Sequence, residues 1–488
     1  MAKQIPDPTR DTPLEAVIGL EVHVQLRTNT KLFCGCENRF GASPNELTCP
    51  VCLGLPGSLP VINRQAVEYA VRAGLACGCT IDTGTKWDRK NYYYPDLPKN
   101  YQISQYDRPL CAGGTVEIRT GDEVRLIRLT RIHLEEDAGK NVHSEEFPES
   151  WVDLNRTGVP LMEIVSEPDI RTPEEAGAYL RMLRLIMLYL DVSDCNMEEG
   201  SLRCDVNVSI RPRGSEEFET RCEIKNLNSF SNVENALVYE IKRQTQLRNS
   251  GGQVTQETRL FDPDRGETRS MRGKEAAHDY RYLPDPDLRS LKLSPDWVEE
   301  ERASLPELPI PRLERFRTTL GLSDYHADVL VRDPSIASFL DECLRLGGDP
   351  QEVANWLVNS LREEMNARDA DAFGVGLTPQ RLVELVAAIA DGKVSKQKAR
   401  DVFRALLESD DGVDAVIDRL GFGQISDDSI LRQAVQEVIQ EQSNAVSDVR
   451  EGKEKSINFL LGQVMRKTKG AANPGLVREL LLDTINKG

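Results

Sequence analysis

Basic charge, aromatic side chains and histidines are all scarce in this chain, and each shortage removes a class of function. Lys and Arg number 61 against 79 Asp and Glu, which leaves a net charge of −18. That field repels phosphate backbones, so indiscriminate nucleic-acid binding is excluded and any contact with RNA must be local and shape-guided. No apolar stretch approaches the ~18 residues needed to span a bilayer. Met1 to Glu15 carries Pro6, Pro8 and Pro13 where a secretory signal needs an apolar segment, so a cytoplasmic protein is expected. Five histidines are too few for many general-base arrangements, and His143, His278 and His326 read as surface or core residues. A GxxxxGK(S/T) phosphate loop, GxGxxG, HExxH and GxSxG are absent, so any ATP site has a different construction. Nothing presents an activated nucleophile for glutamine hydrolysis, and there is neither a fixed-period repeat nor a low-complexity tail.

What is present suits two or three globular domains: 488 residues, 39% of them apolar and 29% charged. From about Glu15 to Asp287 apolar and polar residues alternate repeatedly, the mark of antiparallel strands wet on one face, with helical segments such as Glu174 to Leu190 between them. Six prolines at 284, 286, 295, 306, 309 and 311 forbid both helix and central strand and place a domain boundary there. Beyond it, Pro379 to Ala390 and Ile430 to Gln442 run at helical spacing, and a further break is expected over Glu408 to Gly423. The fold class is α+β, with residues 1–293 as the sheet-bearing domain, 294–408 as a helical domain and 409–488 as a small all-α tail.

Four strands carry unusual polar faces. In Ala16 to Leu26 the even positions are apolar, leaving Glu21 and His23 side by side on the other face. Leu202 to Arg211 alternates most cleanly, with Arg203, Asp205 and Asn207 opposite Cys204, Val206 and Val208. Thr220 to Asn226 sets Arg221, Glu223 and Lys225 apart from Cys222 and Ile224, and HLEEDAGK puts His133 with Glu135, beside Glu136 and Asp137. In one sheet these strands would collect Glu21, His23, Glu135 or Glu136, Asp205, Asn207 and Glu223, interleaved with Arg203, Arg221 and Lys225. Hard oxygen donors with one imidazole suit Mg²⁺, and guanidinium and ammonium groups suit the phosphates such ions accompany. Phosphoryl transfer needs such a site, because its catalysis is positioning and charge neutralisation. The competing reading is an ordinary solvated face of charge pairs.

Eleven cysteines without an export signal point to thiols and metal rather than disulfides. Cys34 and Cys36, then Cys49 and Cys52, supply two close pairs among glycines and prolines, which fits a closed tetrahedral Zn²⁺ of structural type. Unpaired buried thiols or a redox pair are the alternatives, and Cys77-x-Cys79 is a weaker pair. The HxE of His133 and Glu135 matches half of a zinc deaminase signature, but no downstream PCxxC follows.

The run DRKNYYYPDLPKNYQISQ (88 to 105) is rich in Tyr, Pro and Lys, the composition of a rigid binding loop. Together with HLEEDAGK (133 to 140), VDLNRTGVPLMEIVSEPDIR (152 to 171), MEEGSLRCDVNVS (197 to 209), EIKNLNSF (223 to 230) and DYRYLPDPDL (279 to 288), it closely resembles the family of bacterial aspartyl/glutamyl-tRNA amidotransferase B subunits. The resemblance spans essentially the whole chain. It implies a heterotrimer with an amidase-type A subunit and a small C subunit that converts Glu-tRNA(Gln) to Gln-tRNA(Gln) and Asp-tRNA(Asn) to Asn-tRNA(Asn). This chain would be the kinase and transamidase: ATP phosphorylates the misattached side-chain carboxyl, and ammonia from glutamine arrives from the A subunit by a channel and displaces phosphate. The implied fold is a cradle with a curved antiparallel, glutamine-synthetase-like sheet, then the helical domain and the tRNA-holding tail.

Carried onto this sequence, the family's Mg²⁺ ligands fall on Glu21, His23, Glu135, Glu136 and Glu223, with a second cation near Asp205 and Asn207. Lys99 and Glu136 match the polar residues where the ammonia channel opens, and with Glu21 and His23 they make the implied catalytic set. Lys90, Arg203 and Lys225 are the candidate phosphate contacts. The resemblance also implies that the four cysteines are not universal in the family, so they brace a loop rather than catalyse. From Glu451 onwards Lys453, Lys455, Arg466, Lys467, Lys469, Arg478 and Lys487 stand against four anions, a local charge of +3 that suits a tRNA backbone, although a solvated helical face is the commoner cause of such a count. The rival from another class is a zinc-containing scaffold that presents tRNA without chemistry; a third reading is a stand-alone ATP-dependent amidase of small carboxylates.

Overall fold

Alternation decides the central strand. Leu14–Gln25 (β1) buries Ile18, Leu20, Val22 and Val24 on one side, each essentially inaccessible to water and each contributing about 1.5–3 kcal/mol of burial. A charge at Val22 would place an unpaired ion in that core. The computed structural model describes residues 5–143, 149–271, 280–422, 428–450, 454–468, 472 and 474–487. His278, Gly423, Lys453 and Lys469 lie outside the described residues, as do the side chains of His143 and Lys487.

The chain divides into two compact units, Met1–Pro309 and Ile310–Gly488. The first contains Asp88–Asn91 (β2), Tyr101–Ser104 (β3), Glu123–Glu136 (β4), Pro160–Ser166 (β5), Leu202–Pro212 (β6), Cys222–Lys225 (β7), Thr258–Asp262 (β8), Glu267–Ser270 (β9) and Leu283–Pro284 (β10). A ten-stranded sheet runs in the order β9-β8-β7-β6-β1-β5-β4 and continues through short strands at Cys111–Ala112 and Thr80–Ile81, while Thr115–Thr120 also pairs with β4. The expectation of an antiparallel sheet needs one correction, because β7 and β8 pair in parallel. Helix Phe230–Asn249 intervenes between those two strands and carries the chain back, so β8 enters in the same direction as β7. A smaller sheet, β10-β2-β3, carries the tyrosine-rich segment.

Helices Arg64–Ala76 (α1), Pro173–Tyr189 (α2) and Phe230–Asn249 (α3) contribute apolar residues to the same core as the sheet. Each starts on a polar cap: Asn63, Thr172 and Ser229 accept hydrogen bonds from the N–H groups of Gln65, Glu175 and Asn232. Pro173 occupies the first helical turn of α2, as the sequence leads one to expect. Helix Pro295–Ala303 (α4) also belongs to this unit, since its Val298 is buried in the common core, so the compact units divide later than residue 293.

The named elements of the second unit are all helices among its described residues. Pro379–Ala390 forms the expected helix, capped by Thr378, and the helix expected at Ile430 to Gln442 spans Asp428–Glu441. The break expected over Glu408 to Gly423 is narrower than that, because Val413–Leu420 is itself a helix that buries Val416 and Ile417 and ends on Gly421 in the left-handed conformation. The tail has an apolar core of its own, built by Leu431, Val435, Leu460, Val464, Val477 and Leu481. No described helix is long and apolar enough to cross a membrane.

Candidate active site and cysteine centre

Strand register builds the candidate site. Across the sheet Arg203 of β6 stands opposite His23 of β1, His23 opposite Glu163 of β5, and Glu163 opposite His133 of β4. Because side chains alternate, all four project from one face. One step along, Glu21 stands opposite Asp205, and Asn207 opposite Glu223 of β7. His23, Glu135 and Glu163 each offer a ligand atom within 4.8 Å of the other two. His23 Nε2 lies 3.5 Å from Glu163 Oε2, and His133 Nε2 approaches the same oxygen at 3.5 Å.

The electrostatics divide the carboxylates of this face. Burial and the neighbouring carboxylates of Glu163, Asp205 and Glu223 push the Glu21 carboxyl upward. Burial alone would lower His23, yet the Glu163 and Glu135 carboxylates hold it above its usual value. Glu163 goes the opposite way: its burial is outweighed by His133, His23 and Lys90, which hold it far below the carboxylate range. Two anions and an imidazole converging on one point suit a hard divalent cation. His23, Glu135 and Glu163 therefore fit a divalent cation such as Mg²⁺, with Glu21 two residues from His23 on the same face of β1.

The remaining expected residues fall into three groups. Asn207 Nδ2 donates to Glu21 Oε1 at 2.9 Å, and Lys225 Nζ bridges Asp205 at 2.5 Å and Glu223 at 3.1 Å, around a cavity of about 180 Å³ shared by Glu21, Asn207 and Glu223. Lys90 is half-buried, with its ammonium 5.0 Å from the Tyr280 ring centre; the Glu135 and Glu163 carboxylates raise its affinity for a proton against the effect of burial. Arg203 Nη2 donates to Asp137 at 2.6 Å, Gln25 donates to the same oxygen, and Arg203 Nε is buried with no hydrogen-bond partner among the described residues. An orphaned guanidinium N–H asks for an acceptor. Arg203 borders a cavity of about 620 Å³ that Arg39, Lys140 and Arg156 also line.

Glu136 stands apart from the trio. As the neighbour of Glu135 in β4 it projects to the other side, where it forms a buried ion pair with Lys99 and accepts the Ile103 N–H at 2.8 Å. Conversely, the strand reading overlooked Glu163 and left His133 without a role. The signal was present: Glu163 is the one carboxylate among Leu161, Met162, Ile164 and Val165, and a charge in such a strand calls for a partner.

The cysteine centre lies in the same unit. Cys34, Cys36, Cys49 and Cys52 bring their four Sγ atoms within 4.8 Å of one another. A tetrahedral Zn²⁺ with ~2.3 Å bonds separates its sulfurs by about 3.8 Å; Cys49 and Cys52 are 3.8 Å apart. The Cys34 hydrogen bond, the Cys49 N–H and nearby Lys31 bring the Cys52 thiol down to about 5 against its burial. Lys31 is itself buried, donating to Leu47 O at 2.7 Å with its ammonium 3.9 Å from Cys52 Sγ. The donor set fits zinc.

With this geometry in place, comparison with known proteins is decisive. Residues 16–299 match the GatB/GatE catalytic domain, and residues 338–485 match the GatB domain. The chain belongs to the GatB/GatE family. Among similar family members, the B subunit of the aspartyl/glutamyl-tRNA(Asn/Gln) amidotransferase of Thermodesulfovibrio yellowstonii is 51% identical over 97% of this chain and 99% of the relative. The protein of the same name from Brevibacillus brevis is 51% identical over the same shares. That of Geobacter sulfurreducens is 52% identical over 96% of this chain and 98% of its own. The candidate site lies wholly within the part matched to the GatB/GatE catalytic domain.

Proposed function

We propose that this chain acts as the B subunit of a tRNA-dependent amidotransferase, with the wet face of its sheet as kinase and transamidase centre. The observation that carries the reading is the register line Arg203, His23, Glu163, His133, in a chain that shares half its residues with relatives of that name. The substrates are ATP and Glu-tRNA(Gln) or Asp-tRNA(Asn). The γ-phosphoryl group passes to the side-chain carboxylate, ADP leaves, ammonia attacks the acyl carbon, and phosphate departs with the C–O electron pair, leaving the amide.

Mg²⁺, when bound, supplies the charge that neutralises the transferring phosphoryl oxygens. Glu21, His23, Glu135 and Glu163 provide its donors, with Asp205, Asn207 and Glu223 as a second cation position. Lys90 and Arg203 offer fixed positive charge to phosphate, and Lys225 balances Asp205 and Glu223. Asp137 orients Arg203. Lys99 and Glu136 form the polar passage by which ammonia reaches the acyl group from an amidase-type A subunit, with a small C subunit completing a cytoplasmic heterotrimer. The tail from residue 409 holds the tRNA outside the anticodon. Since Lys467 is already paired with Glu437 and Glu441 at 2.7 Å, Lys455 and Arg478 are the better candidates for backbone contact.

The test is ADP formation and tRNA amidation by the chain reconstituted with A and C subunits, using Mg-ATP, ammonium and Glu-tRNA(Gln), for wild type, Glu21→Ala and His23→Ala. Loss of both products with tRNA still bound is the expected result. Intact amidation would make the chain a zinc-containing scaffold that presents tRNA.

A further inference from the structure

We propose that the cysteine centre positions the Lys99–Glu136 ion pair, so that zinc loading controls the amide-forming half of the reaction and leaves the ATP-consuming half alone. The inference rests on Lys99 and Glu136 forming the ammonia passage, and its test separates the two claims.

Lys99 leans on the cysteine loop, and Glu136 faces it across Gly158. Gly54 has φ +68°, and a Cβ placed there would lie 2.3 Å from Lys99 Cγ, so the lysine stem rests directly on the Gly54 backbone. That backbone is wound around the cysteines: the Leu53 N–H donates to Cys49 O at 3.0 Å, the Gly54 N–H to Val51 O at 3.1 Å, and the Cys49 N–H to Cys52 Sγ at 3.1 Å. On the other side stands Gly158, whose Cβ would lie 3.5 Å from Cys52 Cβ, 3.7 Å from Lys31 Cδ and 3.9 Å from Glu136 Oε2. Gly158 is tied at both ends, its N–H to Asp137 O and its carbonyl to the Leu32 N–H, each at 2.9 Å. Cys34, Cys52, Gly54, Lys99 and Glu136 enclose one cavity of about 210 Å³.

A lysine stem loses rotamer freedom when it is held in one path, so a wall must hold it. Here the wall is a loop whose shape depends on four thiolates meeting one ion. Without the ion the cysteines take up protons and lose the tie that joins them, the loop loosens, and the Lys99 ammonium leaves Glu136. His23, Glu135 and Glu163 work on the other side of β4 and keep their geometry.

The experiment uses the full chain reconstituted with A and C subunits, as wild type, Gly54→Ala and Lys99→Ala. ADP and amidated tRNA are measured with ammonium as donor, zinc by atomic emission, and the rate of Lys99 acetylation by peptide mass spectrometry. Gly54→Ala is expected to keep its zinc and form ADP at the wild-type rate while its ratio of amide to ADP falls about tenfold, the penalty of a small misplacement. Its Lys99 should be acetylated several-fold faster. Chelating zinc from wild type should accelerate Lys99 acetylation equally, and added zinc should reverse it. If Lys99→Ala loses the ratio while Gly54→Ala and the stripped protein keep both ratio and acetylation rate, the positioning role falls. If Lys99→Ala keeps the ratio, the passage itself is misassigned. Untreated protein without zinc overturns the proposal, and if Gly54→Ala fails to fold, the acetylation rate of stripped wild type decides alone.

Discussion

The cysteine centre and the sheet face are two ion-sized clusters built on opposite plans. The first draws four soft donors from one short segment, Cys34 to Cys52, and four thiolates saturate a tetrahedral ion. The second draws two carboxylates and an imidazole from positions 135, 163 and 23, on three different strands, which would leave about half of a six-coordinate ion's positions open. A brace can be local because it needs only to close a loop. A reaction centre cannot, since it must set anions, cations and an entry route around one point, and no single segment can aim side chains from several directions.

Four substitutions break or sharpen that contrast. Glu163→Gln should have the largest effect, lowering both ADP and amide formation by at least about 100-fold while zinc content stays intact, because it removes a charged donor from the reacting point. Quenched-flow assays with ammonium check it, and a variant within a few-fold of wild type would move the chemistry off this face. Cys52→Ser is expected to do the reverse: metal analysis should find zinc lost and ADP formation retained, with the unfolding midpoint ~3–5 °C lower, as a loss of about 2–3 kcal/mol implies.

Asp137→Asn comes third. It releases the clamp on Arg203, so the KM for ATP should rise about tenfold, as for loss of a supporting shell. It also carries a pH signature. Burial would raise the Asp137 carboxyl, but Arg203 and Arg156 outweigh it and hold the group below its ordinary 3.8. A carboxyl depressed on folding contributes stability above its unfolded value and loses it as pH falls through the folded one. Urea melts between about pH 5 and 2 should therefore show the wild type losing stability toward acid more steeply than the variant. Arg39→Ala should have the smallest effect. Its exposed pair with Glu37 at 2.8 Å is screened by water, so neither zinc content nor melting midpoint should change.

Much of this was legible before the fold was seen, and the reasons are particular. Alternation in β1 and β6 identified Glu21, His23, Asp205 and Asn207 as one wet face, because a period of two needs no knowledge of neighbours. The cysteine pairs announced their four-thiol cluster by spacing. Glu163 escaped notice because a single carboxylate in an apolar strand has no partner until β5 is seated between β1 and β4. Glu135 and Glu136 could not be told apart by composition; only the direction of the last residues of β4 sends one to His23 and the other to Lys99.

By itself the sequence determined the α+β class, the helical second half, the polar face of each strand and the thiolate set, since each follows from short-range periodicity or spacing. Tertiary structure alone decided the order and register of the strands, the parallel β7–β8 edge, the pairing of Lys99 with Glu136 and the contact between Gly54 and the lysine stem. Those depend on which residues far apart in the chain share one core, and packing sets that for the whole chain at once.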